Sequence, residues 1–566
     1  MRTWIQPTRR SPGLARRRAR VSVALLGASL AACGPAVNAA ADGAPSSDSS
    51  MGPFPLGDDP CMGVSEQGAC AADGRLEYCN VPTDVDEDES VPVEVVRAAC
   101  GAGERCAVNA GFAECVPSGE CRDRDSRCNG AALQRCNAGR WQDEPCATEC
   151  VDTGIGAANC ARAPSPDNRT LRVTFEAREP NAERTDWSAE TVTRNAEGFQ
   201  VVVYRGMEVV DEGRTGAGEQ AGRVSISVPA GDDVRVVVSA VQDDQAQGVA
   251  LALADPNMGA MRLTPGFVPS NPRLWSWEFT GASLMNDTLH ITEENGSGAA
   301  NLFNVLHRAY REVRRRFPSQ RPLSLVAWAG DGTTYSCGAC MNSRPIDVFE
   351  QNFRSQIWMP MGGANHQEWS DAVTGHEAGH WVMASFGRSP GEGGAHTIGV
   401  PTMPGQAWSE GFATWFSYEV LRWPAYVDKQ NGSMFWADIT TRTYHRMRAW
   451  RRPTADAPDG MQQRHDENDV SAMLLALAGS DAAPIFTALN SERMRVAPFA
   501  RGYARHTWST NYTNIRRTQT SAPFLADMLD ALNCASFSRD SINAAAVPDT
   551  HYPYPTTTPL CATGGN

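Results

Sequence analysis

"AVTGHEAGHWVMASFG", residues 372–387, is the stretch on which the reading of this chain turns. It is apolar and helix-like, with two histidines four apart and a glutamate beside the first. On a helix, positions i and i+4 share a face, so the imidazoles of His376 and His380 can converge on one metal ion. Neutral imidazole suits zinc, and Glu377 places a carboxylate next to the same spot. A catalytic zinc takes a third protein ligand and keeps one position open. In one arrangement that ligand is a histidine six residues after His380, preceded by a glycine. Met383 and Phe386 stand at those two positions, which excludes it.

A second helical stretch, "AWSEGFATWFSYEVL" (407–421), supplies Glu410, thirty residues after His380. Its E-G-F-A segment closely resembles the ligand helix of gluzincin metallopeptidases, both thermolysin-like and aminopeptidase-like. "GGAHTIGVPTMPGQAWSEGFATWF" (393–416) is also similar to bacterial H-E-x-x-H lipoproteins in which a G-G-x-H loop leads into this helix. The resemblance covers roughly residues 297–480 and is strong at the two motifs. It implies one catalytic zinc ion held by His376, His380 and Glu410, with Glu377 as the general base. The substrate it implies is a polypeptide. Such enzymes need a further donor for the oxyanion, a histidine in thermolysin-like members and a tyrosine in aminopeptidase-like ones. His465 in "QRHDENDVSAMLLALAG" and Tyr444 in "RTYHRM" are the candidates, and neither spacing matches. His396 is placed behind the ligands or facing the substrate. Thr414 stands where thermolysin-like enzymes carry an aspartate that orients a ligand histidine. The G-x-M-x-N segment of aminopeptidase-type members is absent, which favours an endopeptidase. "WMPMGGANHQEW" (358–369) reads as an extended edge strand that could pair with a substrate backbone.

Working outward, "AANLFNVLHRAYREVRRRF" (299–317) is an amphipathic helix, and "PLSLVAWAG" (322–330) and "SQIWMPMGG" (355–363) read as strands. Strands, then the motif helix, then a mainly helical remainder match an α+β zincin-like domain with a helical C-terminal subdomain, assigned to 270–566. Ahead of it, "TLRVTFEA" (170–177), "FQVVVYRG" (199–206), "GRVSISVPAG" (222–231) and "DVRVVVSAVQ" (233–242) alternate like strands. They predict a β-sandwich module over 166–255, similar to immunoglobulin-like or carboxypeptidase-regulatory-like modules, acting as a spacer or weak binding unit.

Twelve of the 17 cysteines lie between 61 and 160, in two sets of six that predict disulfide-rich repeats at 61–115 and 121–160. "CAADGRLEYCN" (70–80) and "CNGAALQRCN" (128–137) are alike. Neither repeat contains C-x2-C, which argues against zinc ribbons. The repeats resemble cysteine-rich modules of myxobacterial-type surface lipoproteins, and stalk, binding module and prodomain-like spacer are all open roles. Cys337 and Cys340 are expected to form a local loop disulfide, and Cys534 and Cys561 to tie down the C-terminal tail.

Residues 1–33 read as an export signal, with seven arginines and a twelve-residue apolar run, and "LAAC" (30–33) resembles the bacterial lipobox, which implies a lipoprotein signal with Cys33 as the lipidation site. Residues 34–60 are a linker. The resemblance to lipoprotein sorting signals, in which an aspartate after the cysteine retains the protein at the inner membrane, implies through Gly34 the outer membrane or cell surface, and that lipid would be the sole contact with the membrane. The formal net charge is −14, and −21 without the seven arginines, which argues against a nucleic-acid partner. The alternative to a surface peptidase is a non-catalytic binding or adhesion lipoprotein with a degenerate metallopeptidase domain.

Overall fold

The computed structural model describes residues 68–160, 167–496 and 525–550, each with breaks, among them 390–395, 397–403 and 446–465. The signal segment with Cys33, the linker 34–60, Cys61, Cys121, His465 and Cys561 lie outside the described residues. All described residues belong to one compact unit, Asp58–Asn566.

The two cysteine-rich repeats share one plan. Each has a three-stranded antiparallel sheet followed by a hairpin. In the first, Cys70 pairs with Cys106 and Cys100 with Cys115. In the second, Cys128 pairs with Cys150 and Cys146 with Cys160. Within each set of six, the second cysteine thus joins the fifth and the fourth joins the sixth. Apolar burial here is sparse, with Leu76 and Ala113 at the centre of the first repeat. Covalent links compensate for a core this small.

From residue 167 the chain builds sheets. In the strand Asn168–Pro180, Leu171, Val173, Phe175 and Ala177 are fully buried, one face of a period-two pattern. This strand pairs antiparallel with Trp187–Asn195 and Arg223–Ser227, and parallel with Thr288–Ile291. A second sheet runs Glu208–Arg214, Gln200–Arg205, Val234–Ser239, Ser276–Thr280, all antiparallel. The third sheet positions the motif helix. Its strands Gly248–Asp255, Leu325–Trp328 and Ser355–Trp358 are parallel neighbours, and Cys340–Asn342 closes the edge in the antiparallel sense. Strand pairing crosses the interval 255–270 repeatedly, through Gly248–Asp255 with Leu325–Trp328, Asn168–Pro180 with Thr288–Ile291 and Val234–Ser239 with Ser276–Thr280. The larger apolar core draws on residues from Leu171 to Ala546, and a smaller one gathers Val326, Trp328, Phe353 and Trp358.

The edge strand is not the one expected from "WMPMGGANHQEW". Ser355–Trp358 is hydrogen-bonded on both sides, and Cys340–Asn342 is the edge. The disulfide Cys337–Cys340 is formed and anchors the start of that edge. Cys534 is also disulfide-bonded.

Four helices surround the site. Helix α1 (Ser297–Arg316) buries Leu302, Phe303, Leu306, Tyr310 and Val313 on one face. Helix α2 (Asp371–Phe386) is buried along its whole length after Asp371, as its apolar sequence requires. Helices α3 (Pro404–Leu421) and α4 (Glu467–Ala478) pack in turn against α2 and α3. The described chain is therefore a disulfide-rich N-terminal region, a β-sheet region, and a helical part centred on α2, α3 and α4.

His307 of α1 gives this body an acid-sensitive point. It is buried beside Phe303, and its ring lies where a Cβ on Gly198 would fall, 2.2 Å away. Gly198 has φ +80°, so glycine serves both the conformation and the space. Burial, then Arg214 and Arg311, holds the imidazole well below its usual range. The unfolded chain therefore takes up this proton first as pH falls. The associated stability is complete above about pH 6.5 and is lost as the pH drops toward the native value. We expect His307→Phe to reduce the fall in urea midpoint between pH 7 and pH 5, since Nδ1 has no hydrogen-bond partner to lose. An unchanged pH dependence would contradict this assignment.

Candidate metal centre

Helix α2 begins where Ser370 accepts a hydrogen bond from the Val373 amide, 3.1 Å. Asp371 in its first turn accepts from Arg194 Nη1 at 2.8 Å and from Asn301 Nδ2 at 2.9 Å. An acid suits a helix N-terminus, and these two donors tie α2 to the strand Trp187–Asn195 and to α1. At its other end, Trp381 Nε1 donates to the Leu323 carbonyl at 2.8 Å. The helix that carries both histidines is thus fixed at both ends.

Helix α3 approaches α2 closely because Gly379 has no side chain. A Cβ there would lie 2.6 Å from the Ala413 Cα. Gly411 does the same for α4: a Cβ would lie 2.5 Å from Val470 Cβ and 2.7 Å from the Glu467 carbonyl oxygen. The glycines of "HEAGH" and "EGFA" are therefore packing residues that set the distance between the three helices.

That distance brings His376, His380 and Glu410 together, all three buried. His376 Nε2 lies 2.9 Å from Glu410 Oε2, His380 Nε2 lies 3.2 Å from it, and the two Nε2 atoms are 3.1 Å apart. Ligands at zinc bond lengths in a tetrahedron stand about 3.3 Å from one another. The three atoms match one face of such a tetrahedron, and the residues fit a metal ion. The other ring nitrogens are held by hydroxyls: Thr414 Oγ1 lies 2.9 Å from His376 Nδ1, and Ser409 Oγ lies 3.2 Å from His380 Nδ1. A hydroxyl that accepts the Nδ1 proton leaves the Nε2 lone pair for an ion. Thr414 thus does with a hydroxyl what the missing acid does elsewhere.

The charges agree with this. Burial lowers His376 to about 4, so the ring is neutral at neutral pH. Burial disfavours the Glu410 charge, yet His396, His380 and His376 together hold its carboxyl well below the usual range. Glu377 is buried beside them.

Of the remaining sequence candidates, Tyr444 lies on the strand Thr443–His445, but its side chain, like His465, is outside the described residues. His396 does reach the centre, with Nε2 at 3.6 Å from Glu410 Oε2. Three residues were not singled out from sequence. Ser409 sits one position before the glutamate ligand. Tyr426, on the strand Ala425–Gln430, meets His376 edge-on with ring centroids 5.7 Å apart. Glu467, first residue of α4, lies with Oε2 3.3 Å from His396 Nε2. Only Ser409 carried a local signal, since i and i+1 positions around a ligand are natural places for its supporting groups.

No protein-family model matches this chain, and comparison with curated proteins finds no significant similarity. The centre stands on its geometry: an H-E-x-x-H…E arrangement of two histidines and one glutamate on two packed helices.

Thr414→Val keeps the shape of the side chain but removes the acceptor for His376 Nδ1. We expect zinc affinity, measured by competition with a chromophoric chelator, to fall about 10- to 100-fold with the fold retained. Unchanged affinity would show that Thr414 does not orient the ligand.

Proposed function

We propose that this protein is a zinc-dependent peptidase that cuts extended polypeptides internally. The observation that carries this reading is the convergence of His376, His380 and Glu410 at tetrahedral spacing, with Glu377 on the same helix turn. Bound there, zinc would lower the pKa of a water molecule toward about 7 and polarise a peptide carbonyl. Glu377 takes the proton from the attacking water and passes it to the leaving amine.

The endopeptidase reading rests on the sequence, which lacks the G-x-M-x-N segment of aminopeptidase-type members. The sheet edge beside α2, Cys340–Asn342, is itself buried and offers no open strand for a substrate to pair with. Tyr426 supports the oxyanion: burial, then neighbouring carboxylates including Asp428 and Glu377, pushes its hydroxyl well above the usual range. A phenol that stays protonated donates a hydrogen bond where negative charge develops.

The disulfides are those of a protein from an oxidising compartment, and no described helix is long and apolar enough to cross a membrane. In this reading the chain is tethered through a lipid on Cys33 at the outer membrane or cell surface, and the cysteine-rich repeats hold the peptidase away from it.

The test is an internally quenched peptide blocked at both ends. The wild-type protein should cleave it, and a zinc chelator should stop the reaction. Glu377→Gln should keep its zinc and its fold while losing activity by at least about 100-fold. Zinc binding without cleavage of any blocked or free peptide would favour a binding lipoprotein. Cleavage confined to free N-termini would make the enzyme an aminopeptidase.

A further inference from the structure

We propose that His396, Glu410 and Glu467 form a second divalent-cation position, so that the centre holds two ions bridged by the Glu410 carboxylate. This rests on the reading of His376, His380 and Glu410 as the first position.

The geometry is that of a ligand set. His396 Nε2 lies 3.3 Å from Glu467 Oε2 and 3.6 Å from Glu410 Oε2, and the three ligand atoms all lie within 4.8 Å of one another. Neighbouring ligands around a zinc-sized ion stand about 3 to 3.5 Å apart. Glu410 belongs to both sets, which places the two positions side by side.

The Glu467 carboxylate is buried at the start of α4 and accepts no hydrogen bond there. The residue is 3% exposed. It does not cap its helix, because Asp466 does: Oδ1 accepts from the Asn468 amide at 2.9 Å. A buried carboxylate without donors is costly unless a cation faces it. Among the described residues, the ion pairs of Glu410 and Glu467 are all to histidines. Imidazoles that bind metal are neutral and compensate no charge. Glu410 and Glu467 thus stand as neighbouring buried carboxylates with imidazoles beside them, and a divalent ion at Glu467 supplies the positive charge that a buried carboxylate needs to stay ionised.

The donor set also separates the two positions. The first has two imidazoles and a carboxylate. The second has one imidazole and two carboxylates, a harder set that suits zinc or manganese. The His396 side chain is 26% exposed, against 8% or less for His376, His380, Glu410 and Glu467. The second ion is thus the more accessible one, and it should exchange first.

The experiment is a zinc titration of the full-length protein, with bound metal counted by mass spectrometry after dialysis and folding checked by circular dichroism. The wild type should exceed both His396→Ala and Glu467→Gln by one ion per chain, with the tighter ion retained in each variant. Glu467→Asp, which keeps a carboxylate, should restore the second ion at weaker affinity. A count unchanged by both substitutions, with one ion that depends on His380, overturns the second position and leaves the first intact. Absence of any His380-dependent ion overturns both.

Discussion

The centre depends on how closely three helices pack. Where α2 faces α3, the backbone at Gly379 meets Ala413, and where α3 faces α4, Gly411 meets Val470 and the Glu467 carbonyl. A methyl group at either glycine would force the helices apart, and the packed interior has no room to absorb it. Spacings of 2.9 to 3.2 Å between His376, His380 and Glu410 follow from this contact. Such an array also carries its own cost, because neutral imidazoles and a carboxylate are buried together. The fold offsets that cost through Thr414 and Ser409 on the histidines, and an ion would offset more of it.

The scaffold around the three helices is rigid for identifiable reasons. Arg194 joins the strand Trp187–Asn195 to the start of α2 through Asp371, and Asn301 of α1 shares the same carboxylate. Arg316 at the end of α1 pairs with the buried Glu419 of α3 at 2.9 Å. Removing one partner of such a buried pair is costly because it strands the other. Trp408, Phe412, Trp415 and Phe416 fill the interior around α3, so the helix that brings Glu410 has little freedom to turn. The parallel strands beneath α2 complete the frame, and the antiparallel edge Cys340–Asn342 lies along it.

Much of this was legible in the sequence, and the reasons for success and failure are physical. His376 and His380 could be read because a helix converts a spacing of four into one face. Glu410 could be read because its helix motif resembles a known ligand helix. The disulfide Cys337–Cys340 could be read because its partners are three residues apart. The edge strand could not. A strand's alternation tells which residues face the core, but not which strands lie on either side, and Ser355–Trp358 proved to be internal. For the same reason nothing in Gly248–Asp255 announced that it would pair with Leu325–Trp328. Tyr426 and Glu467 come to the centre from strand and helix ends that no local pattern connects to His376. Thr414 was noticed only as a missing acid, because a hydroxyl that accepts from an imidazole has no sequence signature.

The central claim is that these helices bring three ligand atoms to a single ion. The most direct measurement is anomalous diffraction at the zinc edge from crystals of the zinc-loaded protein. The account predicts an anomalous peak about 2.0 to 2.2 Å from His376 Nε2, His380 Nε2 and a Glu410 carboxylate oxygen. A peak elsewhere, or none at this position with zinc bound, would contradict it.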